Sequence, residues 1–347
     1  MVPRTNRPYR MISFFIYYYP NIKKEKGVKR KMLLNVFLLV IGFVILIKGA
    51  DWFVDGASAV AGNFKISKML IGLTIVAFGT SAPEFAVSVK SLISGSGDIV
   101  LGNVVGSNIL NILLILGASS LVHTLNVKNN TVKKELPITL LMSSLLVVLL
   151  SDNLFDSNMT NMITRSDGIT ILLFFLVFIY YLISMARNKT EEEVDEKIMK
   201  LPNAIGLTLI GIGCIVLGSN FVVDSASYIA RAIGISERMI GLTIVALGTS
   251  LPELVTSVTA TKKGEYDIAI GNVVGSNIFN IGIVVGLPVM LFGTIPNVTY
   301  NPVDLLVMLV SAALLFIFSY NDYKIKKKEG IIFLTLFVIY YSYVIFG

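Results

Sequence analysis

Long apolar runs recur along nearly the whole sequence and constrain its fold more than any other feature. Each run is about 18–25 residues long, the length that an α-helix needs to cross about 30 Å of hydrocarbon. The runs are too long for barrel strands and lack the alternation of apolar and polar residues that such strands show. The sequence therefore predicts an all-α membrane protein with ten transmembrane helices. The expected spans are residues 33–56, 68–93, 98–122, 136–153, 167–186, 202–226, 236–262, 267–293, 302–320 and 329–346.

Basic residues mark one side of the membrane. The formal net charge of +7 would suit a nucleic-acid-binding protein, but 54% of the chain is hydrophobic and the charge follows a membrane topology. By the positive-inside rule the loops after odd-numbered spans are cytoplasmic, and both ends of the ten-helix bundle are extracellular. We expect membrane lipid and no nucleic acid as a partner. The odd loops carry Lys65, Lys68, Lys128, Lys133, Lys134, Arg187, Lys189, Lys197, Lys200, Lys262, Lys263, Lys324, Lys326, Lys327 and Lys328, and the even loops only Arg165, Arg231 and Arg238.

The two halves of the chain repeat one another. Residues 68–89 match residues 238–258 around Glu84 and Glu253, and residues 98–117 match residues 267–286 at the same offset of 169 positions. Each copy holds five spans, and an odd number forces the second copy to cross the membrane in the opposite orientation. Inverted repeats are typical of secondary transporters, in which broken helices of the two halves meet at a substrate site near the midplane.

Four segments follow from this organisation. The first five-helix repeat covers residues 33–186, and the inverted second repeat covers residues 202–347. Between them, residues 187–201 form a charged linker that we place in the cytoplasm. Residues 1–32 are a basic N-terminal extension whose apolar patch is too short to span, and we expect the natural start at Met32.

Each repeat carries one short polar string inside an apolar run, GTSAPE at 79–84 and GTSLPE at 248–253. Pro83 and Pro252 lack an N–H and clash with the preceding turn, so they are expected to break their helices and free backbone carbonyls. An ionised residue within a span costs about 2.5 kcal/mol or more and is usually kept for an ion or substrate pathway. The polar groups that share one helix face are Thr80, Ser81 and Glu84, and in the second repeat Thr249, Ser250 and Glu253.

The next span of each repeat adds hydroxyls and amides. Ser107 and Asn111 lie four residues apart, as do Ser276 and Asn280. Together with the carboxylates they offer hard oxygen ligands without thiolate or imidazole, which favours Ca²⁺ over copper, zinc or iron. Another set of amides is equally compatible with simple helix-packing hydrogen bonds; it consists of Asn103, Asn108, Asn272 and Asn277.

GTSAPE with GNVVGSNILN (102–111) and GTSLPE with GNVVGSNIFN (271–280) resemble the two alpha repeats of the sodium/calcium exchanger family, within the cation/Ca²⁺ antiporter superfamily. The resemblance extends over residues 33–347 and implies a prokaryotic plasma-membrane antiporter that exchanges Na⁺ for Ca²⁺ by alternating access, without a cofactor. It implies these ligands: the carboxylates of Glu84 and Glu253, the hydroxyls of Thr80, Ser81, Ser107, Thr249, Ser250 and Ser276, the amide of Asn111, and the carbonyls of Ala77 and Ala246.

Asn280 bears on the coupling ions. Family members that co-transport K⁺ carry an acid at this position, so the amide here indicates K⁺-independent exchange with two fixed acids. One Ca²⁺ then gives a neutral site and three Na⁺, the count that the resemblance implies, give a site of charge +1. Transport is therefore expected to be electrogenic.

Three alternatives remain open from the residues. A Ca²⁺/H⁺ antiporter of the same superfamily would use Glu84 or Glu253 as proton carriers. A cation channel would use similar oxygens, although inverted repeats with broken helices favour alternating access. An intramembrane aspartyl protease would use Asp98 and Asp267, but their motifs occur in reversed order and we interpret both residues as helix N-caps.

Overall fold

The computed structural model describes residues 22–93, 95, 97–155, 160–187, 199–234, 246–296 and 301–346. Within these residues the chain is helical apart from its loops and one short strand pair, in which β1 (Leu125–Asn126) is antiparallel to β2 (Lys324–Ile325). The first half contains α1 (Ile22–Phe64), α2 (Lys68–Thr80), α3 (Ala82–Ile93), α4 (Gly97–Val122), α5 (Leu136–Leu149, after a π-helical turn Thr131–Glu135), α6 (Asp152–Phe155) and α7 (Arg165–Arg187). The second half contains α8 (Leu201–Ala232), α9 (Ala246–Thr249), α10 (Leu251–Lys262), α11 (Tyr266–Phe292), α12 (Pro302–Asp322) and α13 (Lys327–Phe346).

Seven of the described helices are long and apolar enough to cross a membrane, and the bent pair α2 and α3 makes an eighth. The seven are α1, α4, α7, α8, α11, α12 and α13. Two expected spans are not among them. In the run at 136–153, α5 ends at Leu149 and the separate short helix α6 begins at Asp152. The turn before α5 carries Lys133, Lys134 and Glu135. The run at 236–262 is described only from Ala246 onward.

The two helices that carry the polar stripes lie at the centre of the protein. In the most apolar stretches of α4 and α11, 72% and 78% of the residues are buried. The corresponding share is 17% in α1 and α13 and 22% in α7. Apolar side chains on these outer helices therefore face the surroundings, as expected where a helix contacts lipid.

Both polar strings interrupt their helices, as predicted. The axis bends by 46° between α2 and α3 at Ser81, and Ser250 separates α9 from α10. The prolines lie in the first turn after each break, where a missing N–H leaves no intrahelical partner unsatisfied. Because Pro252 cannot donate to the carbonyl of Gly248, that oxygen instead accepts a hydrogen bond of 3.0 Å from Ser219 on α8.

Glycines allow the first helices of the two halves, α1 and α8, to approach closely. A methyl group added to Gly211 would lie 2.5 Å from the backbone nitrogen of Phe53, and one added to Gly218 would lie 2.6 Å from that of Leu46. The central helix α11 approaches α2 in the same way, because a methyl group on Gly271 would lie 2.9 Å from the Cα of Gly72. Small residues therefore set the helix spacing.

The loops gather into two groups. Those after odd-numbered expected spans contact one another through the β1–β2 pair, the Lys68–Glu265 ion pair (2.8 Å) and the Lys128–Asp267 ion pair (2.6 Å). Those after even-numbered expected spans meet where the backbones of Ile163 and Ile295 pair.

Candidate cation site

Side chains of both halves converge at the two helix breaks. The hydroxyl of Ser81 donates a hydrogen bond to Oε1 of Glu253 over 2.9 Å. The hydroxyl oxygen of Ser276 lies 3.0 Å from that of Ser81 and 3.4 Å from the same carboxylate oxygen. The second carboxylate is thus held by a hydroxyl from the first half of the chain.

The reciprocal contacts repeat this pattern from the other half. Ser250 lies 3.4 Å from Ser107, oxygen to oxygen, which mirrors the contact between Ser81 and Ser276. Thr249 interacts with Glu84, as Thr80 interacts with Glu253. Each carboxylate therefore faces hydroxyls of the opposite half.

The inner amides also bond across the halves. Nδ2 of Asn111 donates to Oδ1 of Asn277 over 2.9 Å, and Nδ2 of Asn280 donates to Oδ1 of Asn108 over 3.0 Å. Asn108 and Asn277 in turn donate to each other's backbone carbonyls, at 3.3 and 3.4 Å. The sequence left the role of Asn108 and Asn277 open, and the structure shows that they orient the predicted ligands. The repeated S-N-x-x-N spacing is the signal that indicates this role.

A π-helical turn begins at each predicted amide ligand, over Asn111–Leu116 in α4 and Asn280–Val285 in α11. Turns of this kind often occur at functional sites, since the wider winding redirects a side chain. Apart from the repeat itself, no sequence pattern indicates these turns.

The outer amides secure the breaks. Asn103 donates to the backbone carbonyl of Glu84 (3.3 Å), and Asn272 donates to that of Glu253 (3.4 Å). Asn272 also accepts a hydrogen bond from Thr80 (3.0 Å) and donates to Ser257 (2.9 Å), a contact that the sequence did not indicate. These amides pack helices together.

Several oxygens of the cluster remain unpaired. Glu84 and Glu253 are each 1% exposed. No hydrogen bond of ordinary geometry within the described residues reaches either carboxylate oxygen of Glu84, Oε2 of Glu253, or Oδ1 of Asn111 and Asn280. Buried acceptors without partners are unfavourable, and a cation coordinated by them removes the penalty. All five are hard oxygens, which suits Ca²⁺ and Na⁺.

The predicted carbonyl ligands differ from the carbonyls that the prolines free. The carbonyl of Ala77 accepts a hydrogen bond from the backbone nitrogen of Ser81 (3.0 Å), and the hydroxyl of Thr80 lies 3.3 Å from the same oxygen. Pro83 and Pro252 instead lack the donors for Gly79 and Gly248. Ala246 begins the described segment Ala246–Thr249. The ligand roles of Ala77 and Ala246 stay predictions.

The two aspartates of the protease alternative are not the helix N-caps that the sequence predicts. Asp98 and Asp267 lie within the first turns of α4 and α11, and the N-cap of α11 is Glu265. Asp267 forms an ion pair with Lys128. Within the described residues no group of three or more His, Cys, Asp or Glu residues could hold a metal ion, so a cation here would depend on two carboxylates and neutral oxygens.

Comparison with known proteins identifies the family of the chain. The sequence profile of the family described as "Sodium/calcium exchanger protein" matches residues 34–184 and 203–346. The chain belongs to the sodium/calcium exchanger family. Its relatives are transporters and exchangers, which supports a secondary transporter over an enzyme.

Individual family members resemble the chain over most of its length. It is 38% identical to the inner membrane protein YrbG of Escherichia coli, over 81% of this chain and 87% of that protein. It is 36% identical to the putative antiporter CaxA of Alkalimonas amylolytica, over 91% and 100%. The structure is similar to that of the sodium-calcium exchanger NCX_Mj soaked with 10 mM Na⁺ and no Ca²⁺, with a TM-score of 0.77, 32% identity, and coverage of 89% and 98%. The chain described here is therefore a multi-pass helical membrane protein of the exchanger type.

Proposed function

We propose that this protein exchanges Na⁺ for Ca²⁺ across the membrane by alternating access. The observation that carries the proposal is the set of unpaired buried oxygens on Glu84, Glu253, Asn111 and Asn280, surrounded by hydroxyls of both halves. A site that is built from both halves changes its geometry whenever one half moves against the other. Such a site can open to one side of the membrane at a time.

The same residues account for the exclusion of one ion by the other. Two carboxylates neutralise one Ca²⁺. The neutral hydroxyls of Thr80, Ser81, Thr249 and Ser250 are suited to Na⁺, which carries a single charge. Because Na⁺ and Ca²⁺ share the carboxylates, each displaces the other. With three Na⁺ bound the site carries a charge of +1, so exchange is electrogenic, and the amide at Asn280 makes it independent of K⁺.

We also infer a ten-span topology with two inverted five-helix units, residues 33–186 and 202–347, joined by the linker 187–201. Two observations support it. The loops after odd-numbered spans contact one another, and those after even-numbered spans meet separately. The site also contains a reciprocal contact between equivalent positions of the two halves, because Asn108 and Asn277, 169 positions apart, donate to each other's backbone carbonyls. The positive-inside rule then places the odd loops in the cytoplasm.

The test is ⁴⁵Ca²⁺ uptake into proteoliposomes of purified protein, with an outward Na⁺ gradient compared with an outward H⁺ gradient. We expect the Na⁺ gradient to drive ⁴⁵Ca²⁺ uptake when the internal and external pH are equal. A protonophore should not change this uptake while K⁺ and valinomycin hold the membrane potential constant. Glu84→Gln and Glu253→Gln are expected to lower it about a hundredfold or more, because breaking a buried charge pair costs about 3–5 kcal/mol.

The matched control is Asp322→Asn, since that carboxylate lies on an exposed surface in an ion pair with Lys326. This variant should transport normally. Uptake driven only by H⁺ would reassign the protein to the Ca²⁺/H⁺ antiporters, and single-channel currents would exclude alternating access.

A further inference from the structure

A second buried carboxylate, Glu135, lies outside the cation site. It ends the π-helical turn before α5 and is 0% exposed. Its Oε1 accepts a hydrogen bond from the hydroxyl of Tyr181 on α7. Its Oε2 is buried and accepts no hydrogen bond of ordinary geometry among the described residues, although the carboxylate also interacts with Thr131 of the same turn. A buried carboxylate oxygen without a well-aligned donor is unfavourable in a folded protein.

A cavity of about 270 Å³ adjoins the carboxylate, between the start of α2, the turn and the last turns of α7. Glu135 and Tyr181 lie at its inner end, and exposed side chains, Lys128, Lys134 and Ser184, line its outer part. The volume is several times the roughly 30 Å³ that one water molecule occupies. It therefore suits a small organic group better than a single bare ion.

The charges along this cavity are ordered. The ammonium of Lys134 lies 5.5 Å from the centre of the Tyr181 ring, and within the described residues it forms no ion pair with Glu135. The carboxylate of Glu135 thus lies at the inner end of the cavity, and the two lysines lie at its opening. A free cation would have to pass two lysines, and a simple anion would meet the carboxylate. A zwitterion that enters with its ammonium first satisfies both ends.

The second half of the chain provides an internal comparison. Asp304 occupies the position 169 residues after Glu135, and it accepts a hydrogen bond of 3.0 Å from Tyr340. A carboxylate and tyrosine pair therefore joins equivalent helices in both halves. Asp304 is only half-buried and has no lysine among residues 297–303. A structural contact between two helices would explain the carboxylate and tyrosine pair in both halves. It does not explain the cavity, the lysines or the second carboxylate oxygen at Glu135.

The location indicates where such a zwitterion comes from. Tyr181 lies near the end of α7, a helix apolar enough to span the membrane, and its neighbours Tyr180 and Ile183 are 75% and 49% exposed. The end of a spanning helix lies at the level of the lipid headgroups. We propose that the cavity binds the headgroup of an aminophospholipid, with the primary ammonium at Oε2 of Glu135 and the phosphate at Lys134 and Lys128.

Bound lipid would also adjoin a contact between the two halves. Lys128 forms its ion pair with Asp267 at the N-terminal end of α11. A phosphate beside Lys128 therefore lies next to one of the contacts that connect the odd loops.

The test is native mass spectrometry of the purified full-length chain with phosphatidylethanolamine, phosphatidylglycerol or phosphatidylcholine of identical acyl chains. We expect preferential retention of phosphatidylethanolamine, whose ammonium carries hydrogen-bond donors. Glu135→Gln and Lys134→Gln should each weaken its binding about tenfold or more through loss of a charge-assisted hydrogen bond.

Two matched controls separate this site from general effects. Asp304→Asn removes the equivalent carboxylate of the second half, and Lys133→Gln removes an exposed lysine next to the cavity but not in its lining; both should bind as the parent does. If Glu135→Gln does not fold, the comparison of Lys134→Gln with Lys133→Gln decides. Equal retention of all three lipids, an equal loss in Asp304→Asn, or displacement by soluble phosphoethanolamine at equal concentration would overturn the proposal.

Discussion

The hydroxyl of Ser81 in the first half of the chain donates a hydrogen bond to the carboxylate of Glu253 in the second half, over 2.9 Å. This carboxylate is therefore positioned by groups from both halves of the chain. The other carboxylate, Glu84, likewise interacts with a hydroxyl of the opposite half, that of Thr249. In the proposed function, such a site couples ion occupancy to the relative position of the two halves.

Removing the Ser81 hydroxyl tests this contact. Ser81→Ala leaves Oε1 of Glu253 without its shortest hydrogen bond and removes a potential cation ligand. We expect ⁴⁵Ca²⁺ affinity to fall about tenfold, since a hydrogen bond to a charged group contributes about 1.5–3 kcal/mol. Ser311→Ala is the control, because that buried serine donates only to the carbonyl of Met308. Equal affinities in the two variants would show that Ser81 does not support the carboxylate.

Adding a third carboxylate should change which half of the transport cycle moves charge. In the parent the Ca²⁺-loaded site is neutral, so Ca²⁺/Ca²⁺ exchange is expected to be indifferent to membrane potential. In Asn280→Asp the Ca²⁺-loaded site has a charge of −1, and the same exchange becomes sensitive to voltage, by up to about 2.3 kcal/mol per charge per 100 mV.

The measurement is ⁴⁵Ca²⁺ counterflow in proteoliposomes with imposed K⁺ and valinomycin potentials. Asn280→Ser is the neutral control and should remain indifferent to voltage. The charge count is wrong if the parent already responds to potential, or if Asn280→Asp does not respond although its carboxylate is ionised.

Close packing of α1 against α8 makes a further prediction about stability. Gly211→Ala places a methyl group 2.5 Å from the backbone nitrogen of Phe53, and overpacking of this kind costs about 1–3 kcal/mol. Gly213 lies two residues away on the same helix, with nothing within 4 Å of the added methyl group. We expect a lower midpoint of thermal unfolding for Gly211→Ala and an unchanged or slightly higher one for Gly213→Ala. Equal midpoints would show that the two helices separate at little cost.

Much of the site could be predicted from the sequence because the repeat presents every polar group twice. The spacing within GTS-x-PE and S-N-x-x-N places the carboxylates, hydroxyls and amides on helix faces. The sequence could not show which groups pair across the halves. That pairing depends on how α4 lies against α11, and it determines that Asn108 orients Asn280. Asn103 instead holds the backbone carbonyl of Glu84 within the first half.

Up to eight of the ten expected spans are found among the described residues, and the ten-span topology stays a prediction. Apolar length alone indicated a crossing at 136–153, but Lys133, Lys134 and Glu135 wind into a π-helical turn before α5, and the helix ends at Leu149. Residues 22–32 of the expected N-terminal extension are helical and continuous with α1. The domain boundary at residue 33 and the natural start at Met32 stay predictions. The glycine contacts between α1 and α8 could be found only in the structure, because the sequence does not show which residue packs against a given glycine.

The central claim is that one pair of carboxylates serves both ions in turn, and equilibrium binding of ⁴⁵Ca²⁺ to the purified protein tests it most directly. Na⁺ would be titrated against bound ⁴⁵Ca²⁺ at fixed pH and ionic strength, with choline as the balancing cation. The account predicts complete displacement by Na⁺ with a Hill coefficient above one, and no ⁴⁵Ca²⁺ binding in Glu84→Gln or Glu253→Gln. Retention of ⁴⁵Ca²⁺ at saturating Na⁺ would contradict it, because the two ions would then occupy separate sites.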